Sequence, residues 1–171
     1  MAPGTGLWTK WLLDAGAQRI TAIDASPAML ERLRARLGER ADHVEMVIGD
    51  LFDLSLERRY DGVFFGFFLS HVPRDRLASF FDAVGSAVEP GGVVGLVDSR
   101  LEPTSTAIDH VLPEANSEVM TRRLDDGREF RIVKNFYEPD EIVAAAATAG
   151  IEMQVTTSST YFVVGTGISV R

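Results

Sequence analysis

Apolar and polar residues alternate along this chain with two different periods. Leu7, Trp8, Trp11 and Leu12 recur at helical spacing, so residues 7–15 read as a short helix that Gly16 ends. Residues 19–24 form a brief apolar stretch closing on Ile23-Asp24, which reads as a buried strand. Ser26-Pro27 then opens a helix, with serine suited to the cap and proline to the first turn. Met29, Leu30, Leu33 and Leu37 make its apolar stripe, and Gly38 stops it. Residues 44–48 and 60–65 read as strands; the first leads into Gly49-Asp50 and the second into Gly66. Leu77, Phe80, Phe81, Val84 and Val88 mark a helical face within residues 74–88, which Glu89-Pro90-Gly91-Gly92 terminates. Residues 93–97 are a strand ending at Asp98.

Strands alternating with helices predict a parallel sheet covered on both faces. The rhythm then breaks. Residues 101–116 carry Pro103, Pro113 and Asn116 without periodicity and read as a surface excursion. Residues 119–124 and 129–133 flank Asp125-Asp126-Gly127-Arg128 as a hairpin. Pro139, Asp140 and Glu141 open a last helix that Gly150 closes. Residues 151–156 and 161–164, joined by a short Thr/Ser turn, predict an antiparallel strand pair. The expected organisation is one domain over residues 1–171, with a cover and hairpin inserted at about 101–134.

Composition narrows the function. With no cysteine there is no disulfide framework or cysteine metal site, and His43, His71 and His110 lack ligand spacing, so no metal is expected. A net charge of −8 speaks against nucleic acid as partner. The arginines of residues 31–40 are interleaved with glutamate and leucine, as on a solvated helix face. No apolar run approaches the ~18 residues of a membrane span. No secretion signal is evident at the N-terminus, and a cytoplasmic location is expected.

The candidate chemistry lies at strand ends. Gly4-Thr5-Gly6 precedes a helix and suits close backbone approach to a ligand. Asp24 stands 18 residues beyond Gly6, where nucleotide-binding α/β domains place an acid for ribose hydroxyls. Gly49-Asp50 ends the next strand. In an open α/β sheet such ends gather around one crevice. Asp24 as a helix-capping acid, Asp50 as a turn cap and Met29 as ordinary core are the plainer alternatives.

In the order and spacing of these pieces the chain resembles the class I S-adenosylmethionine-dependent methyltransferases. The resemblance runs from Ala2 to Val164. It is carried by the glycine loop, Ile23-Asp24-Ala25-Ser26-Pro27-Ala28-Met29, Gly49-Asp50-Leu51, Tyr60-Asp61-Gly62-Val63-Phe64-Phe65 and Glu89-Pro90-Gly91-Gly92. It implies a Rossmann-like α/β sheet, mostly parallel with a C-terminal antiparallel pair, and S-adenosylmethionine as cofactor. It further implies that Gly4, Thr5 and Gly6 meet the amino-acid part of the cofactor and that Asp24, beside Ala25, accepts from the ribose hydroxyls. Met29 would pack near the adenine, with Asp50 and the Leu51 N–H at its edge. Gly66 and Phe67 would lie beside the methionine end.

A small-molecule acceptor is expected, because Gly66-Phe67-Phe68-Leu69 stands where amino-methylating enzymes of nucleic acids and some proteins carry Asp/Asn-Pro-Pro-aromatic. His71 is the candidate general base, with a packing or capping role as its alternative. Asp98 and Arg100 are candidate acceptor contacts or a surface pair. Residues 101–116 and the hairpin are expected to cover the acceptor side, with Arg122 and Arg131 placed to neutralise an anionic acceptor or to pair with Asp125, Asp126 or Glu129. The first strand of the family is missing, since only Met1 precedes the glycine segment. Either the true start lies upstream, which is the expectation, or a partner chain fills the gap, or the flanking strands close up. The competing functions are a non-catalytic or truncated methyltransferase-like binding module, and a nicotinamide-dependent oxidoreductase, whose third glycine is replaced by Thr9.

Overall fold

The computed structural model describes residues 1–53, 58–102, 118–123 and 126–171. Helix α1 (Leu7–Asp14) leads to β1 (Ile20–Asp24), α2 (Pro27–Leu37) and β2 (Val44–Ile48). Then come β3 (Tyr60–Gly66), α3 (Leu77–Ala87), β4 (Val88–Ser99), β5 (Val119–Arg123), β6 (Glu129–Val133), α4 (Pro139–Thr148), β7 (Ile151–Thr157) and β8 (Phe162–Ser169). Strands β1 and β2 pair in parallel, from Ile20 opposite Val44 to Asp24 opposite Ile48. A second sheet has the order β3-β4-β8-β7. There β3 and β4 are parallel, while β8 is antiparallel to both β4 and β7. Only β8 therefore reverses direction within that sheet.

Among the described residues no ladder joins β1 to β3. Two contacts bridge them: the Ala2 N–H donates to the Ile23 carbonyl at 2.9 Å, and the Met1 nitrogen donates to the Phe64 carbonyl at 2.8 Å. Alongside, a cavity of about 320 Å³ runs between the strands, lined by Ile20, Ala22, Tyr60, Gly62, Trp8 and Leu12 among others. The strands β1 and β3 have not closed up on one another.

The core is divided in the same way. On one side α2 packs Leu30, Leu33 and Leu37 against Ala22 and Val44. On the other, α3 and α4 cover β3, β4 and β7 with Phe80, Phe81, Val84 and Ile142 around Phe65, Leu96 and Ile151. Phe65 is fully buried and meets Phe80 edge-on at 5.1 Å, whereas Phe64, on the opposite face of the strand, meets Trp8.

Gly38 ends α2 as expected, capping it at φ +58°, and a separate 3-10 segment over Gly38–His43 follows directly. Three local expectations are corrected. Helix α3 starts at Leu77, after a separate 3-10 turn at Arg74–Arg76. Glu89-Pro90-Gly91-Gly92 lies within β4: Tyr60 faces Val88 but Gly62 faces Val93, so the extra residues bulge out, with Gly91 at φ +78°. Strand β8 runs five residues beyond the expected end at Val164, to Ser169. Its inward positions there are Gly165, Gly167 and Ser169, which a hydrophobic pattern cannot show. A Cβ on Gly167 would stand 2.8 Å from the Glu152 carbonyl oxygen, so bare backbone is what fits. The hairpin forms as read, β5 against β6 with Val119 opposite Val133. Residues 103–116 of the expected cover lie outside the described residues, as do Asp125 and His110. Among the described residues no helix is long and apolar enough to cross a membrane.

Candidate functional site

The carboxyl ends of β1 and β2 meet the glycine loop. Gly4 and Gly6 both hold positive φ, +52° and +85°, for different reasons. A Cβ on Gly6 would stand 2.3 Å from Leu33 Cδ1, so this glycine lets the loop sit directly on α2. A Cβ on Gly4 would meet nothing within 4 Å, so its bare face borders open space. The Gly6 N–H donates to the Pro3 carbonyl and closes the turn, and exposed Thr5 lies at its tip. The first N–H groups of α1 have no intrahelical acceptor and emerge beside this loop.

Asp24 ties the loop to the sheet. Its Oδ2 accepts from the Gly4 N–H at 3.3 Å and its Oδ1 from the Ser26 N–H at 3.0 Å. A carboxylate offers about four lone-pair sites, so two remain for a ligand. Ser26 occupies the N-cap position of α2 as expected, but its hydroxyl makes no capping bond. The Gly49 N–H donates to the Asp24 carbonyl at 3.2 Å and draws the β2 exit alongside. Asp50 Oδ1 accepts from the Phe52 N–H at 2.9 Å, an Asx turn whose carboxylate stays exposed. Leu51 is buried, Ala25 exposed and Met29 half-buried.

Beyond β3 the placements differ from the expectation in detail. The bare Cα of Gly66 faces Trp8, since a Cβ there would stand 2.7 Å from the indole nitrogen. Phe67 holds φ +56°, is 40% exposed and meets Phe162 edge-on at 5.7 Å. Positive φ is uncommon for a bulky residue and strains the backbone, and here the Phe67 N–H bond to the Val97 carbonyl at 2.8 Å holds it.

His71 follows on a 3-10 turn at Leu69–His71. Its Nδ1–H donates to the Val133 carbonyl at 2.7 Å, which leaves Nε2 with the lone pair of the neutral ring. Burial pushes its pKa below the ordinary histidine value, with Lys134 and Arg122 adding to the effect and the Val133 bond and Asp98 opposing it. Asp98 is not half of a surface pair. It is 1% exposed and accepts from the Ser70 and Ser99 N–H groups at 3.0 and 2.7 Å. Arg100 turns away, its N–H to the Tyr161 carbonyl and its guanidinium to that of Ser158. Arg122 and Arg131 do not act together. Thr121 faces Arg131 and Arg122 faces Phe130, so the two arginines point to opposite sides of the hairpin. Asp126 pairs with Arg128 instead.

One residue that sequence reasoning passed over is Lys134. It follows β6, is half-buried, and its ammonium donates to Ser70 Oγ at 2.9 Å and Ser99 Oγ at 3.5 Å. Its only signal was a Lys-Asn pair wedged between the apolar ends Ile132-Val133 and Phe136-Tyr137. Asn135 and Tyr137 are buried behind it, and both donate to the Val72 carbonyl at 2.8 Å. Among the described residues no cluster of His, Asp and Glu could hold a metal.

Comparisons with known proteins bear on the family and the fold. Residues 1–92 match the family model described as a methyltransferase domain. A malonyl-[acyl-carrier protein] O-methyltransferase of Acetivibrio thermocellus is 44% identical over 59 residues, which cover 34% of this chain and about a fifth of that protein. Among solved structures, a DhpI–SAM–HEP complex is 38% identical, with a TM-score of 0.80 over 97% of this chain and 75% of the other. The PH0226 protein of Pyrococcus horikoshii is 20% identical, with a TM-score of 0.80 over 98% of this chain and 80% of the other, a likeness of fold.

Proposed function

The chain belongs to the class I S-adenosylmethionine-dependent methyltransferases, with S-adenosylmethionine as cofactor, and from that premise we propose that it methylates a small molecule with His71 as general base. The observation that carries the proposal is the cluster at the carboxyl ends of β1 and β2, where Gly4, Asp24 and Gly49 are hydrogen-bonded together and Asp50 follows at once; His71 comes after the carboxyl end of β3. The open space beside Gly4 fits the cofactor's methionine part, and the two spare lone-pair sites of Asp24 fit its ribose hydroxyls. Thr5 and Gly6 complete the glycine turn and Ala25 follows Asp24, Met29 and the Leu51 N–H flank the adenine, and Asp50 accepts from its amino group. Gly66 acts through Trp8, and Phe67 shields the methionine end.

Bound S-adenosylmethionine supplies an electrophilic methyl group. This chain's part is to align an acceptor in line with that methyl and to take the acceptor's proton. The Val133 bond fixes the His71 tautomer, so Nε2 is the atom that receives the proton. The depressed pKa keeps the ring neutral, and so competent as a base, to below the ordinary range. The absence of the Pro-Pro-aromatic segment and the acidic balance support a small acceptor in a cytoplasmic enzyme over a nucleic acid. The test uses methyl-labelled cofactor with a panel of low-molecular-weight hydroxy, amino and carboxylic compounds. Label should move to a small product and fail to do so with His71→Ala. Label arriving on protein or nucleic acid, or undiminished turnover by His71→Ala, would overturn the reading.

A further inference from the structure

Lys134 is not needed where it stands to hold the hairpin down. The base of the hairpin is already fastened: the Lys134 N–H donates to the Glu118 carbonyl at 2.8 Å and the Asn135 N–H to the Ser70 carbonyl at 2.7 Å. The Asn135 side chain and the Tyr137 hydroxyl complete the attachment through the Val72 carbonyl. Half-burying an ammonium is costly unless something compensates its charge. Among the described residues Lys134 forms no ion pair. Asp98, the carboxylate that acts on it electrostatically, is fully buried and already accepts two backbone N–H groups. Arg122 adds a second positive charge that both Lys134 and His71 feel. Among the described residues, Lys134 and the exposed Arg122 thus act electrostatically around one buried carboxylate, Asp98.

The hydrogen bonds point the same way. An ammonium has three donors. Buried Ser70 takes one at 2.9 Å and fixes the direction of the side chain, while the bond to Ser99 at 3.5 Å is long and weak. The Phe136 ring also lies 5.4 Å from the ammonium, so beyond these contacts the outward donors are the weakly engaged Lys134 N–H and the hydroxyl proton of half-buried Ser99. Ser70 lies just past β3 and Ser99 is the last residue of β4, at the same end of this parallel pair. His71 is the residue next to Ser70.

Resting on the methyl-transfer reading above, we infer that Lys134 and Ser99 form an oxyanion subsite, and that the acceptor is a small acid whose carboxylate or phosphate-type group binds there, next to the atom served by His71. Ser70 is a positioning residue, and Arg122 contributes longer-range attraction.

The experiment measures binding of acetate and of inorganic phosphate to the intact chain by titration calorimetry, for the wild type, Lys134→Met and Lys134→Arg, with S-adenosylhomocysteine affinity measured in parallel. At least one of the two anions should bind the wild type. Lys134→Met should weaken it about tenfold or more, the loss expected for a hydrogen bond to a charged group. Lys134→Arg should retain most of it, and S-adenosylhomocysteine affinity should stay unchanged in both variants. Preference for acetate assigns a carboxylate acceptor, and preference for phosphate a phosphoryl one. No binding of either anion to the wild type, or equal binding by Lys134→Met, overturns the subsite. Should Lys134→Met fail to fold, Ser99→Ala is read by the same criterion. No acceptor or turnover enters this measurement, so its failure is distinct from failure of the transfer assay.

Discussion

Replacing Asp24 with alanine separates two roles that the structure assigns to one carboxylate. Internally it accepts from Gly4 and Ser26 at 3.3 and 3.0 Å, the first a long bond. Losing both should lower the stability of the ligand-free protein by about 1–2 kcal/mol. For a chain of this length that is a fall of roughly 2–8 °C in Tm. Toward the cofactor, the two remaining lone-pair sites would each lose a charge-assisted bond to a ribose hydroxyl. At about 1.5 kcal/mol each, the loss approaches 3 kcal/mol, or on the order of 100-fold in Kd. Calorimetry with S-adenosylhomocysteine and with its 2′,3′-dideoxy analogue tells the two roles apart. The wild type should discriminate strongly between the ligands, and Asp24→Ala should bind both with similar, weak affinity. If the substitution weakens both ligands equally, the carboxylate acts only through the glycine loop and its assignment to the ribose is refuted.

The other expectations concern the base and the glycines. Burial depresses the His71 pKa, so the acid limb of kcat against pH should fall below 6.5, and a limb above 6.5 would count against His71 as base. The same sign governs stability: the contribution of neutral His71 is complete above 6.5 and is lost as pH falls toward the depressed value, a dependence that His71→Gln should flatten in urea titrations. Gly6→Ala forces a methyl group against Leu33 at positive φ and should cost about 2–4 kcal/mol in urea denaturation. Gly4→Ala meets no atom, so its main effect should be on S-adenosylhomocysteine affinity; unchanged affinity would show that the open space beside Gly4 is not the cofactor's.

The strand ends were legible because each is a local pattern. Apolar runs closing on Asp24, on Gly49-Asp50 and on Gly66 need only side-chain period and turn chemistry to be read, and in the structure they end strands as expected. The same local logic found the hairpin and the helix opened by Pro139, whose capping box joins Glu138 and Glu141. The glycine loop was equally readable, although its two glycines look alike in sequence and differ in space. One is crowded by Leu33 and the other faces a void, a distinction set by an element 27 residues further along the chain.

By itself, then, the sequence determined the order of strands and helices, the acids at their ends and the family these imply, because periodicity and turn residues act over a few positions. Only the tertiary structure decided that Asp98 is sealed beneath Ser70 and Ser99, that Arg122 and Arg131 part company, that β1 and β3 stay apart, and that Lys134 comes to rest beside His71. Each of these joins residues dozens of positions apart. Burial and electrostatic environment belong to such long-range neighbours, and no local pattern encodes which side chain will share a cavity with which charge.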